Sequence, residues 1–479
     1  MDTRHPMDLA KKACTRCRTQ KRRCDRSIPE CGLCRRLHQL CQYEARVLPS
    51  PSPTASSPFD AALPLETVRP GYIKAAIIDK LGPTSPGVLF SKYNQSIHPW
   101  FPIFSQNFQD QLPQFWDEAS LDCTLLALCI GLLCTSPHSS YPGYGGPQLE
   151  FQSTYLQAKS WIAEVEGLGI NSVKIVQARI LITLFEVAHG FYPAAYISIG
   201  ATVRAANALR IHPCSQSTAL PSAANQKGAE ETILIECAIR ILDRYITIQS
   251  GPHPSLTRSL AENVHNSKRI LHPSGREEDP TSPLWQFSRT FEASTLLDNI
   301  HNALHNPTSE QAFNIEEVLL LIETTNSLRA ILAEEIADAE KIYSGGLALC
   351  NTGLLVAYDD GSKVQVTDGV TANCRSLGAS YLDLMLTNTA EMISSFVSGA
   401  RVIEFDRLPP FALFLVYKAA ALVTERVWLA PDSDEALRKV RALRGFLTLA
   451  SARWLCCQRY IDLLNEDTTP RILKALERQ

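Results

Sequence analysis

The sequence predicts two unlike folds in one chain: a small cysteine-organised module of two short helices, and behind it a large all-α domain. Three observations carry this prediction. Six cysteines fall within Cys14–Cys41 of a chain that holds 15 in 479 residues. A stretch rich in Pro and Ser follows them. From Gly71 onward apolar residues recur at helical intervals.

Composition sets the outer bounds. At 45% hydrophobic, 479 residues bury a large core, and the length suits two or three domains. The first 30 residues lack the apolar stretch of a secretory signal. The longest apolar runs, Leu125–Cys134 and Phe411–Val423 with Lys418 inside it, fall short of a bilayer span. A soluble, intracellular protein with no membrane partner is the expectation. In a reducing compartment thiols stay free, so a dense cysteine pattern points to metal before it points to disulfides. Charge is also divided unevenly. Residues 1–46 carry 12 Lys/Arg against 5 Asp/Glu, net +7, and the remaining 433 residues carry a net −10. Local positive charge of this density is the footprint of a polyanion partner.

The cysteine spacing defines the chemistry. Cys14-x2-Cys17-x6-Cys24 is followed, after six residues, by Cys31-x2-Cys34-x6-Cys41, so the second half repeats the first. A C-x2-C pair brings two sulfurs to one zinc ion at about 2.3 Å. Two such halves imply two ions. Two four-coordinate zincs need eight sulfur bonds, and six thiolates supply them only if two bridge. Cys14 and Cys31 hold equivalent places in the halves and are the expected bridges. A four-cysteine ribbon with two spare thiols, or a redox pair, leaves the duplicated x6 spacing unexplained. The segment has almost no apolar residues to bury, so metal binding must supply its fold.

The basic run between the second and third cysteines reads mechanically. A short helix anchored at Cys14 and Cys17 and running through RTQKRRC projects Lys21 and Arg22 from its far end, a shape that fits the major groove of double-stranded DNA. Lys and Arg donate to guanine O6 and N7, whereas flanking cations meet phosphates. Nearby cations also offset the net negative charge of six thiolates around two Zn2+ ions.

At every metal position the pattern resembles the DNA-binding domain of the fungal binuclear zinc-cluster (Zn2Cys6) transcription factors, with Arg18, Lys21, Arg22 and Arg23 between Cys17 and Cys24 and with Pro29 two residues before Cys31. The resemblance implies Lys21 as the base contact in a CGG-type half-site and Arg18, Arg22, Arg23, Arg35 and Arg36 as backbone contacts. It also implies a nuclear regulator of RNA polymerase II transcription that meets coactivators, and for many members a metabolic or secondary-metabolite gene cluster as target. Lys11 and Lys12 with Lys21, Arg22 and Arg23 form a basic set of the nuclear-import kind. An adaptor that uses the cluster for protein contacts is the rival reading.

Domain organisation follows: 1–46 the cluster, 47–70 a Pro/Ser-rich tether, 71–345 the main helical domain and 346–479 its helical continuation. The tether cannot bury enough to fold. Neither it nor YIKAAIIDKL behind it sustains three heptads, so a homodimer has no coiled-coil signal and half-site spacing is unset. LDCTLLALCIGLLC is apolar nearly all round and reads as a buried helix. VKIVQARILITLFEVAHG has apolar residues at helical intervals and stops at Gly190, and PAAYISIGATVRAANALRIH follows as its partner. Further periodic segments run over Ile315–Tyr343, Ala379–Val397, Phe411–Trp428 and Asp434–Leu464. LLVAYDDGSKVQVTDG reads as a hairpin around an Asp-Gly turn.

Several places in residues 85–330 resemble the fungal-specific transcription factor, or middle homology, domain: YNQSIHPWFPIF (Tyr93–Phe104), then Gln177, Gly190, Gly200 and Arg204, then Asp243-Arg244. Ala238 and Ile239 stand where that family carries a Trp pair. Catalytic constellations are missing, and no enzyme activity is expected. His98, His189, His212 and His253 lack metal-ligand spacing. Cys123, Cys129, Cys134, Cys237, Cys456 and Cys457 lie in apolar helical segments, where a free Cys behaves as a small hydrophobe.

Overall fold

The computed structural model describes residues 10, 12–28, 30–36, 41, 43, 70–105, 108, 112–137, 147–211, 223–258, 282–429 and 434–466. Lys11, Pro29, the tether up to residue 69 and His212 lie outside the described residues. Backbone contacts divide the chain into two compact units, Met1–Leu65 and Glu66–Gln479.

In the first unit α1 (Thr15–Thr19) and α2 (Gly32–Arg36) each make little more than one turn. Helices this short do not persist alone in water. Each begins just after a cysteine of the repeat. Cys14 is the N-cap of α1, its Sγ accepting from the Cys17 N–H at 3.5 Å, and Cys31 Sγ accepts from the Cys34 N–H at 3.4 Å. The buried cluster of the unit is Cys14, Cys17, Cys31 and Cys34. Sulfur takes the place of a hydrophobic core.

The second unit has no strand among its described residues. It runs α3 (Pro70–Leu81), α4 (Pro86–Ser96), α5 (Leu121–Cys134), α6 (Pro147–Gly167), α7 (Val173–Ala188), α8 (Ala194–Ala208), α9 (Ala223–Ser250), α10 (Pro283–His305), α11 (Gln311–Glu335), α12 (Gly345–Lys363), α13 (Gly369–Val397), α14 (Pro410–Leu429), α15 (Asp434–Ala450) and α16 (Cys456–Glu466). Serine caps start many of them: Ser85 before Pro86, Ser172, Ser282 before Pro283, and Ser344 each accept a hydrogen bond from a first-turn N–H. Gly190, at φ +72, stops α7 in the left-handed region that glycine enters without penalty. Two helices act as hubs. α5 is buried nearly all round and packs against α3, α4, α6 and α7. α12 packs against α10, α11, α13 and α14, so helices on both sides of residue 345 share one core.

Several residues of the middle-homology resemblance pin this core, whereas Arg204 is exposed. Tyr93 donates to the Phe101 carbonyl at 2.7 Å, and Gln177 Nε2 donates to the Ile103 carbonyl at 3.2 Å, which fixes the WFPIF segment to α7. Asp243 Oδ2 accepts from the Thr257 N–H and hydroxyl, both at 2.7 Å, while Arg244 donates to Thr295 Oγ1 at 2.7 Å. Ala238 and Ile239 are both buried in place of the Trp pair.

Two expectations need correction. The hairpin does not form: Leu354–Lys363 belong to α12, and Asp368 caps α13 in a capping box with Thr371. Leu354, Leu355 and Tyr358 are buried at helical spacing, so tertiary packing overrides the Asp-Gly signal. The segment Asp434–Leu464 is two helices. Between them Arg453 and Trp454 turn inward, Arg453 donating to Asp406 Oδ1 at 2.6 Å and to the Leu133 carbonyl at 2.7 Å, and Trp454 Nε1 donating to the Phe405 carbonyl at 3.0 Å. α13 also starts ten residues earlier than its periodic pattern. Among the described residues no helix is long and apolar enough to cross a membrane.

Candidate metal centre

The backbone of the first unit gathers the six thiols predicted from spacing. Cys14, Cys17, Cys24 and Cys31 bring one Sγ each to within 4.8 Å of one another, and so do Cys14, Cys31, Cys34 and Cys41. Cys14 and Cys31 therefore stand in both groups. The closest approaches test the fit to an ion. A Zn–S bond of about 2.3 Å sets the sulfurs of one tetrahedron about 3.8 Å apart. Cys14–Cys31 and Cys14–Cys34 are at 3.8 Å, and Cys17–Cys31 is at 3.7 Å. These lengths match tetrahedron edges, and the Cys14–Cys31 pair is common to the two groups.

Electrostatics point the same way. Burial, reinforced by the neighbouring sulfurs, pushes the Cys34 thiol up to about 12 and the Cys17 thiol higher still. Burial opposes ionisation of Cys31 as well, but hydrogen bonds from the Cys34 N–H and from neighbouring thiols outweigh it and hold this thiol below its usual value. Buried thiols packed this closely ionise together only when cations sit among them, which is what a thiolate metal site supplies.

Sequence reasoning missed the supporting residues. Asp25 accepts from the Gly32 N–H with both carboxylate oxygens, at 3.0 and 2.8 Å, and this hydrogen bond holds its carboxyl below the usual range. A Cβ on Gly32 would lie 2.6 Å from Asp25 Oδ2, so any larger residue there would shift this carboxylate. Tyr43 donates to the Ser27 carbonyl at 2.9 Å and packs on the cysteine cluster. The available signals were the glycine directly after Cys31 and an acid directly after Cys24.

The cations sit on the surface. Lys21 follows the end of α1, with its N–H on the Arg18 carbonyl at 3.2 Å while the Arg22 N–H reaches the Cys17 carbonyl at 2.9 Å. These are the paired hydrogen bonds of a Schellman ending. Lys21 thus occupies the position usually held by glycine, at φ +49. Lys21, Arg18, Arg22 and Arg23 are exposed at this tip, and Arg35 and Arg36 are exposed at the end of α2, where Arg36 Nε turns back to the Gly32 carbonyl at 3.3 Å. The other candidates behave as packing residues. Cys123, Cys129, Cys134, Cys237, Cys456 and Cys457 are buried. Burial lowers His98 to about 4 and His189 well below its usual value, whereas His253 is exposed.

Fold and site together define a metal-nucleated, cation-tipped module carried on a chain with a separate helical unit. Comparison with known proteins adds two domain matches. Residues 12–49 match the fungal Zn(2)-Cys(6) binuclear cluster domain, and residues 89–262 match the fungal specific transcription factor domain. Both matched domains are those of Zn2Cys6 fungal transcription factors, and the six gathered thiols fit a cluster of two zinc ions. Transcription factor BOA15 of Botryotinia fuckeliana is 32% identical over 125 residues, an alignment that covers 25% of this chain and 64% of that protein. No solved structure matches the chain.

Proposed function

We propose that the chain is a nuclear, sequence-specific DNA-binding regulator of RNA polymerase II transcription that reads CGG-type half-sites with Lys21. Cys14 and Cys31 bridge two zinc ions. Cys17 and Cys24 complete one tetrahedron, and Cys34 and Cys41 complete the other. The observation that carries the reading is the exposed Lys21 at the end of a helix whose base is anchored by Cys14 and Cys17. A lysine held on a rigid tip discriminates guanine O6 and N7 from other base edges, while Arg18, Arg22, Arg23, Arg35 and Arg36 neutralise phosphates. The helical unit meets coactivators or a second copy of the chain. By analogy with the family, the targets are genes of a metabolic or secondary-metabolite cluster.

The test is a titration of the full chain against CGG-containing and scrambled duplexes at two salt concentrations. The CGG duplex is expected to bind more tightly, and affinity for both should fall steeply with salt through counterion release. Equal affinity for the two duplexes rejects specific readout. Target occupancy that survives neutralisation of Lys21, Arg22 and Arg23 together would favour the adaptor reading instead.

A further inference from the structure

The second unit contains a cleft that its own packing leaves open. α11 and α13 both pack on α12, and the cleft runs along α12 between them as a cavity of about 910 Å3. A second cavity of about 490 Å3 continues it, and Arg329 and Asn388 line both, so these two residues mark the neck. Ile315, Val318 and Leu319 of α11 face Leu377, Tyr381 and Leu384 of α13 across the larger cavity. Their spacing of three and four residues puts each trio on one helix face. Yet Leu319, Leu377, Tyr381 and Leu384 stay 45–54% exposed, an apolar lining that no part of the described chain covers. α11 buries only Thr325, Leu328 and Leu332.

The polar groups are uneven: besides the charged side chains, the amides of Gln311, Asn314, Asn326, Asn373 and Asn388 line the larger cavity. Among the described residues three charged side chains line the larger cavity: Glu323, Asp360 and Arg329. Glu323 is exposed at the rim. Burial, with Asp359 beside it, holds the Asp360 carboxyl above the usual range and so toward its neutral form. Among the described residues Arg329 is the one cation of the larger cavity, Lys341 and Arg401 lining the second, and its Nε is buried without a hydrogen-bond partner. An unpaired guanidinium N–H away from water carries a desolvation cost that a bound oxygen removes. Near it, Asn326 donates to the Tyr358 hydroxyl at 3.0 Å, and the Tyr358 ring stacks on Tyr381 with centroids 5.4 Å apart. This wall is already satisfied and flat, suited to an apolar body.

We infer that the cleft between α11, α12 and α13 binds a small apolar molecule bearing a carboxylate, with the acid group on Arg329 at the neck and the apolar body along the leucine and tyrosine faces. Its volume suits a drug-sized ligand, and apolar walls with a few convergent polar groups are the ordinary make-up of such sites. The planar guanidinium fork matches a carboxylate in a way that a neutral ligand cannot exploit. The site lies beyond residues 89–262 and is independent of the DNA reading.

The experiment titrates the full chain with 11-(dansylamino)undecanoic acid and with its methyl ester, following dansyl fluorescence. A saturable, blue-shifted rise is expected, with the acid at least about tenfold tighter than the ester, the scale of one charge-assisted hydrogen bond. R329M should remove the difference between acid and ester, R329K should retain part of it, and L384W should weaken both ligands. Circular dichroism establishes that each variant is folded, and CGG-duplex binding by the same samples reports separately on the zinc unit. No saturable rise, equal affinity for acid and ester, or an undiminished difference in folded R329M overturns the assignment.

Discussion

Lys21 is placed where the backbone prefers glycine. At φ +49 an L-residue gives up roughly 1–2 kcal/mol relative to glycine. Residues in this region cluster at functional sites, although Arg26 and Arg210 occupy it too. Two contributions then separate under substitution. Lys21→Gly should leave zinc retention against a competing chelator unchanged or improved, while the preference for CGG over a scrambled duplex falls by about 1–3 kcal/mol. Loss of zinc together with loss of binding would place Lys21 in the fold and not in recognition. His98 makes a second residue-scale case in the helical unit. Its folded value of about 4 lies below the unfolded value near 6.5, so the unfolded chain binds more protons between them. The stability it contributes is fully present above about pH 6.5 and is lost as pH falls toward 4. His98→Phe should therefore narrow the drop in urea midpoint between about pH 7 and pH 5, and an unchanged drop would clear this residue.

At the scale of elements, what the sequence makes legible depends on who supplies the partner groups. The six thiols were readable because ligand spacing is local and duplicated. α5 was readable from its unbroken apolar run and α7 from its apolar period and glycine stop, signals local in sequence. Asp25 was not, because its partner Gly32 is seven residues away and nothing in either residue type names the pair. The α15–α16 break and the false hairpin fail for a like reason. Arg453 leaves the helical path for Asp406 and the Leu133 carbonyl, groups distant in sequence. Residues Asp360 and Gly361 stay helical because α13 presses closely on α12 at Gly378. A Cβ at Gly378 would lie 2.9 Å from the Ser362 nitrogen and 3.0 Å from the Gly361 carbonyl carbon. Those are backbone atoms of a packed helix and cannot swing aside. Gly378→Ala should therefore destabilise the helical unit by roughly 1–3 kcal/mol, read as a lower urea midpoint with unchanged m. An unchanged midpoint would refute the close approach of the two helices.

The two units draw stability from different physics, and the whole chain should show it. In the first, the buried cluster is sulfur, its helices are five residues long, and burial disfavours ionised Cys17 and Cys34 unless a cation is present. Structural zinc contributes about 10–16 kcal/mol in small modules of this kind, more than so little apolar burial can replace. The second unit holds an extensive core that includes Trp454, Phe101, Phe287 and Phe411, and among the described residues the groups able to hold a metal all lie in the first unit. Exhaustive chelation of the full chain should thus abolish binding to the CGG duplex and release two zinc equivalents, while nearly all of the helical circular dichroism and the main thermal transition persist. Adding zinc back should restore DNA binding. Acid should mimic the chelator at the first unit, since protons compete for the thiolates. DNA binding that survives chelation would remove the metal from recognition, and collapse of the helical signal would show that the large unit needs zinc after all.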